Sequence, residues 1–181
     1  MSPFQILAFL FNLFIYVVLL RFLLQLVRAD FYNPLSQFVL KATQPVLKPL
    51  RRIIGGAGGI DWSSLLLAAA LVLLRNYLFG SAMAYQLGMW LALPFDLTLL
   101  MIDVLIVSLF GRMLLSWVDP YQGHPMQRPL VQLTEPVIRP FRRIIQPIGG
   151  FDLAPMFGLL LLYLLIWAVN SLPFWLRSLL A

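Results

Sequence analysis

The chain has 181 residues, 61% of them apolar and only 11% charged, against roughly 25% charged residues in an ordinary soluble domain, so a soluble single domain is excluded. Its 13 Lys and Arg against 7 Asp and Glu leave a formal charge of +6, which has to be set against membrane topology before nucleic acid is considered. With no Cys and a single histidine, His124, the chain excludes disulfide frameworks, thiolate metal sites, cysteine nucleophiles and any site built on two imidazoles.

A membrane-spanning helix needs about 20 mostly apolar residues. The first such stretch is Phe4 to Val27; Met1 to Gln5 carries no Lys or Arg, so the segment lacks the basic head of a cleavable signal and reads as a retained anchor. A polar, Pro-rich linker follows with Arg28, Lys41, Lys48, Arg51 and Arg52. Within it Leu35, Phe38, Val39, Ala42, Val46, Leu50 and Ile53 recur at intervals of three and four, the period of a helix with one apolar stripe. Pro45 and Pro49 predict that this linker is two short helices or a kinked one, broken near the Thr-x-Pro step. Gly58, Gly59 and Asp61 then introduce the second span, Trp62 to Phe79, the glycines permitting a turn and the aspartate accepting from the first free amides of the next helix.

The connection Gly80 to Phe95 has no charge and contains Tyr85 and Trp90, which predicts a short interfacial helix or a re-entrant segment. Gly80, Ala84 and Gly88 form a small-xxx-small row that favours close helix contact and oligomerisation. The third span, Leu97 to Val118, leads into a second basic linker with Arg128, Arg139, Arg142 and Arg143 and an apolar stripe of Met126, Leu130, Leu133, Val137, Phe141 and Ile144. It carries Pro136 and Pro140 where the first has Pro45 and Pro49, and Gly149, Gly150 and Asp152 precede the last span, Leu153 to Leu176. His124, before Pro125, reads as a solvated turn.

A shift of 91 residues organises the whole chain, because Arg21 to Asp61 aligns without a gap on Arg112 to Asp152. Of those 41 positions 16 are identical, enough to establish a tandem duplication with units at residues 1–91 and 92–181. Each unit supplies an even number of spans, so both insert in the same sense. The predicted fold is therefore an all-α membrane protein, four transmembrane helices from two parallel repeats, each with an amphipathic, Pro-kinked helical linker. Nine of the thirteen basic residues lie in the linkers, which places the linkers in the cytoplasm and both termini on the periplasmic side.

The candidate sites follow from charge. Lys48, Arg51, Arg52, Arg139, Arg142 and Arg143 form basic collars that either enforce topology or bind anionic headgroups or a protein partner, each cation near an acidic lipid surface contributing about 1 kcal/mol. Arg21 and Arg112 lie about 10 Å inside their spans, so that they either snorkel to the headgroups or reach Asp61 and Asp152. Counted from their helix ends, Arg75 and Asp103 lie about 21 and 22 Å deep, which makes them a candidate buried ion pair with Asn12 at similar depth. Asp61 and Asp152 would need to share a proton at close range to act as a protease dyad, and Arg52 and Arg143 are placed to keep both ionised. No phosphate loop, nucleophile elbow or zincin motif is present, so neither catalysis nor a metal or cofactor is expected.

The pattern Arg-x-Leu-Leu, then Thr-x-Pro-Val-x-x-Pro-x-Arg-Arg-Ile-Ile, then Gly-Gly-x-Asp, present at Arg21 to Asp61 and again at Arg112 to Asp152, resembles the YggT (YlmG-like) family of bacterial inner-membrane proteins. The repeated family residues map onto Thr43, Pro45, Pro49, Arg51, Arg52, Gly59 and Asp61, and onto Thr134, Pro136, Pro140, Arg142, Arg143, Gly150 and Asp152. The resemblance implies an inner-membrane location and links to osmotic stress, potassium homeostasis and cell division; for plastid relatives it implies cytochrome haem attachment and nucleoid distribution. Haem ligation finds no support in a chain with one His and no Cys. Two functions remain as expectations: a non-enzymatic scaffold or assembly factor working through the collars, and an ion or osmolyte pathway lined by Arg75 and Asp103, formed by a homo-oligomer.

Overall fold

A computed structural model describes residues 3–54, 59–79, 88–118, 125–145 and 152–180. Six helices account for almost all of these residues: α1 (Pro3–Leu26), α2 (Pro34–Ile53), α3 (Trp62–Phe79), α4 (Gly88–Val118), α5 (Gln127–Ile144) and α6 (Ala154–Leu180). Four of them, α1, α3, α4 and α6, are long and apolar enough to cross a membrane, with candidate spans at Pro3–Leu26, Trp62–Phe79, Trp90–Ser116 and Ala154–Ser171. The two linkers are the other helices, α2 and α5. Proximity along the backbone divides the chain into one unit of Met1–Leu26 with Phe38–Met101 and another of Val27–Gln37 with Ile102–Ala181.

In the first unit α1 packs on α3. Ile15, Val18, Leu19 and Phe22 of α1 are buried at helical spacing, and Leu67, Ala68 and Val72 are buried on α3. The helices run antiparallel: at one end the Phe79 ring meets Phe4 edge-on at 5.0 Å and Phe11 at 6.0 Å, and at the other Arg21 of α1 approaches Asp61 at the start of α3. Phe9, Leu10, Leu66 and Tyr77 are exposed on the outside of this pair, as a lipid-facing surface requires.

The second unit has its core in Ile102, Ile106 and Leu109 of α4, Ile138 of α5, and Ala154 and Leu162 of α6. Phe141 stacks on Phe157 at 6.1 Å, and Val137, Leu159, Ile166 and Val169 close the cluster. Gly158 is a point of close approach: a β-carbon there would stand 3.5 Å from Leu109 and 3.6 Å from Ile138 and Val137. Those are ordinary contact distances, so Gly158→Ala should leave the thermal midpoint of the purified protein unchanged or slightly raised. Gly158→Leu should destabilise the fold by about 1–3 kcal/mol, because the additional carbons have to enter a filled core.

The structure narrows two sequence expectations. Neither α2 nor α5 is broken into two short helices at the Thr-x-Pro step; both run unbroken through Pro45 and Pro49, and through Pro136 and Pro140. All four prolines lie on exposed faces, so the carbonyls that lose their intrahelical donors face outward, while the Thr43 and Thr134 hydroxyls donate inward to the Val39 and Leu130 carbonyls at 2.7 Å. Of the connection Gly80 to Phe95, residues 88–95 form the first turns of α4, which continues through Pro94, and residues 80–87 lie outside the described residues. The Thr98 hydroxyl donates to the Pro94 carbonyl at 2.7 Å within that stretch. His124 and the turn glycines Gly58, Gly149 and Gly150 lie outside the described residues, as do Gly80 and Ala84 of the small-residue row.

Candidate functional site

Each repeat builds a polar lock where its linker helix meets its spans. In the first, Arg21 projects from the last turns of α1 and is 3% exposed; its Nη1 donates to Thr43 Oγ1 at 2.6 Å, and Thr43 is itself fully buried. Arg21 Nε stands 3.7 Å from Asp61 Oδ2, and the Arg51 guanidinium from α2 donates to the same oxygen. Asp61 caps α3, receiving the Ser64 amide at 3.3 Å and the Ser64 hydroxyl at 2.6 Å. The chain enters this cap through Gly59, whose φ of +80° belongs to the left-handed region that glycine adopts without strain. One carboxylate thus ties together α1, α2 and α3.

The second lock repeats the plan with a different balance. Arg112 Nη1 donates to Thr134 Oγ1 at 2.9 Å and to Glu135 Oε2 at 3.3 Å. Arg142 holds Glu135 at 3.3 Å and Asp152 through Nε at 2.8 Å and Nη2 at 2.6 Å. Asp152 accepts the Ala154 amide at 3.0 Å at the start of α6. Here two carboxylates serve two guanidinium groups, and the Asp152 side chain is 33% exposed where that of Asp61 is 3% exposed.

The arginines that reach the aspartates are Arg51 and Arg142, rather than the Arg52 and Arg143 expected to keep them ionised. One residue on, a helix turns by about 100°; Arg52 and Arg143 therefore face outward, and Lys48 and Arg139 are exposed with them. Burial pushes the Asp61 carboxyl up, but the Ser64 hydrogen bonds and the Arg51 guanidinium outweigh it and hold the group below its ordinary value. A depressed carboxylate stabilises the fold above its unfolded value, near 4, and that contribution is lost as pH falls through the lower folded value. The thermal midpoint should therefore hold from neutral pH to about 4 and drop below it, and the drop should shrink in Asp61→Asn.

The polar cluster within the spans also differs from expectation. Arg75 meets Asp96 at 3.5 Å and the neighbouring Asn76 at 2.8 Å, and Asn76 donates to Asp96 at 3.0 Å. Asp96 is a partner of Arg75 that the depth count did not name; with α4 starting at Gly88, it lies two turns inside the helix and opposite the end of α3. Asn12 Oδ1 is buried and has no hydrogen-bond partner among the described residues. Thr43, Thr134, Glu135 and Asn76 were not singled out by charge. The repeat did signal the two threonines, since both stand 22 residues after their arginine.

Four spanning helices, two linker helices of the same make and a polar lock at each linker define a polytopic membrane protein built from a duplicated helical hairpin. The CCB3/YggT family model matches residues 2–82 and 91–173, one segment in each repeat, and the chain belongs to that family. It is 43% identical over 175 residues to the uncharacterized protein PA0392 of Pseudomonas aeruginosa, covering 92% of this chain and 88% of that one. Against the uncharacterized protein YggT of Escherichia coli K12 the identity is 39% over 165 residues, covering 88% and 85% of the two chains. A Vibrio alginolyticus protein encoded in the proC 3' region is 45% identical over 152 residues, 80% of each chain. No solved structure matches.

Proposed function

We propose that this protein is a non-enzymatic scaffold or organising factor of the bacterial inner membrane, working through two basic helical collars on the cytoplasmic side, with both termini on the periplasmic side. The observation that carries this reading is the division of labour between adjacent arginines. Arg51 and Arg142 hold the linker helices against the spans, which leaves Lys48, Arg52, Arg139 and Arg143 as exposed charge on rigidly held helices. On α2 that charge borders exposed Phe38 and Val46, the composition of a helix lying in the headgroup layer. Anionic headgroups and the acidic face of a partner protein are the ligands such a surface takes.

The test places a photo-crosslinking residue at position 44 or 132 in cells, in the natural chain and in a variant with Lys48, Arg52, Arg139 and Arg143 changed to Gln. Recurrent crosslinks to the same protein that vanish in the variant, with membrane insertion intact, are the expected result. Crosslinks indifferent to the four charges would sink the reading. An ion or osmolyte pathway is the competing reading, favoured by the Arg75, Asn76 and Asp96 cluster and the unsatisfied Asn12 oxygen. Potassium flux in proteoliposomes above that of empty vesicles, and lost in Asp96→Asn, would establish it instead.

A further inference from the structure

The two locks differ in charge. Arg112, Arg142, Glu135 and Asp152 sum to zero, whereas Arg21, Arg51 and Asp61 leave an excess of +1, because the position of Glu135 is held in the first repeat by Gln44. A buried cation is costly unless an anion faces it, and here one carboxylate is shared by two guanidinium groups. Arg21 Nε shows the shortfall: it is buried, makes no hydrogen bond among the described residues, and stands 3.7 Å from an Asp61 oxygen that Arg51 also holds. The exposed member of the lock is Arg51, whose side chain is 40% exposed where that of Arg21 is 3% exposed. Gln44, Lys48 and Arg51 follow at i, i+4 and i+7, so all three share one face of α2 at the edge of the lock.

We propose that the first lock is a phosphate site that holds the headgroup of an anionic lipid, the lipid phosphate standing where Glu135 stands in the second lock. Arg51 and Lys48 contact the phosphate oxygens, a forked guanidinium and a point charge both suiting that geometry, while Arg21 supplies the buried charge that the anion neutralises. The site rests on the reading of the linkers as headgroup-facing and narrows it to one saturable position in one repeat.

The repeat supplies its own controls. Native mass spectrometry of the full chain in detergent, with phosphatidylglycerol or phosphatidylcholine added at equal ratio, should show one phosphatidylglycerol retained beyond the phosphatidylcholine background. Gln44→Glu installs the acid of the second repeat and should weaken that retention at least tenfold. Glu135→Gln opens the second lock and should add a second retained lipid; if that variant fails to fold, Gln44→Glu still decides. Equal retention by the natural chain and Gln44→Glu would overturn the site. Inorganic phosphate that saturates the lock while no lipid is retained would overturn the lipid as its source. A lipid sensitive to Gln44→Glu without charge-dependent partner crosslinks would sink the scaffold alone; the crosslinks without that lipid would sink this site alone.

Discussion

Asp61→Asn is expected to cost about 3–5 kcal/mol of stability. The substitution keeps shape and removes charge, leaving Arg21 buried beside Thr43 with no anion while Arg51 still contributes its own positive charge. The equivalent change in the other repeat, Asp152→Asn, should cost about 1 kcal/mol or less. Asp152 is part-exposed, and Glu135 remains in place to face both Arg112 and Arg142. Thermal midpoints of the two purified variants in the same detergent check this; equal losses would mean that the locks are not the unequal devices their geometry describes.

Thr43→Val should cost about 2–3 kcal/mol, since a guanidinium hydrogen bond inside the fold is lost and its donor is left buried. The same hydroxyl also donates to the Val39 carbonyl, so valine removes both the acceptor for Arg21 and a donor for the backbone of α2. Thr43→Ser retains both bonds and should recover most of the loss. Thr134→Val should be milder than Thr43→Val because Arg112 Nη1 has Glu135 at 3.3 Å as a second acceptor. Thermal midpoints give the ranking, and proteolysis of the linker at neutral pH gives an independent reading of whether α2 has come away from the spans.

The spans and the duplication were legible in the sequence because both are written in patterns that need no tertiary information: runs of apolar residues and a register of 91. The reach of Arg21 to Asp61 was legible too, as a depth of a few turns. Which of two adjacent arginines turns inward was not, since Arg51 and Arg52 differ only in the rotation of α2, and that rotation is fixed by the burial of Val39, Thr43 and Leu47. The prolines left two forms open, two short helices or one kinked helix, for a related reason: a helix-interior proline is costly where the freed carbonyl is enclosed, and enclosure is a property of the fold. Asp96 was missed as the partner of Arg75 because a proline and a charge at positions 94 and 96 look like the edge of a span. In the structure they stand two turns within α4.

The outward-facing prolines also set how deep a linker can sit. Each releases one backbone acceptor, those of Lys41 and Pro45 on α2 and of Gln132 and Pro136 on α5, and an acceptor with no donor costs several kcal/mol in hydrocarbon. If the linkers lie in the headgroup layer as proposed, two such groups per helix would act as a float: the apolar stripe would draw the helix toward the acyl chains, and carbonyls without an intrahelical donor would stop it where water still reaches. On that placement the duplicated chain would carry its own gauge of membrane depth, written in backbone chemistry and indifferent to the charge of the surrounding lipids.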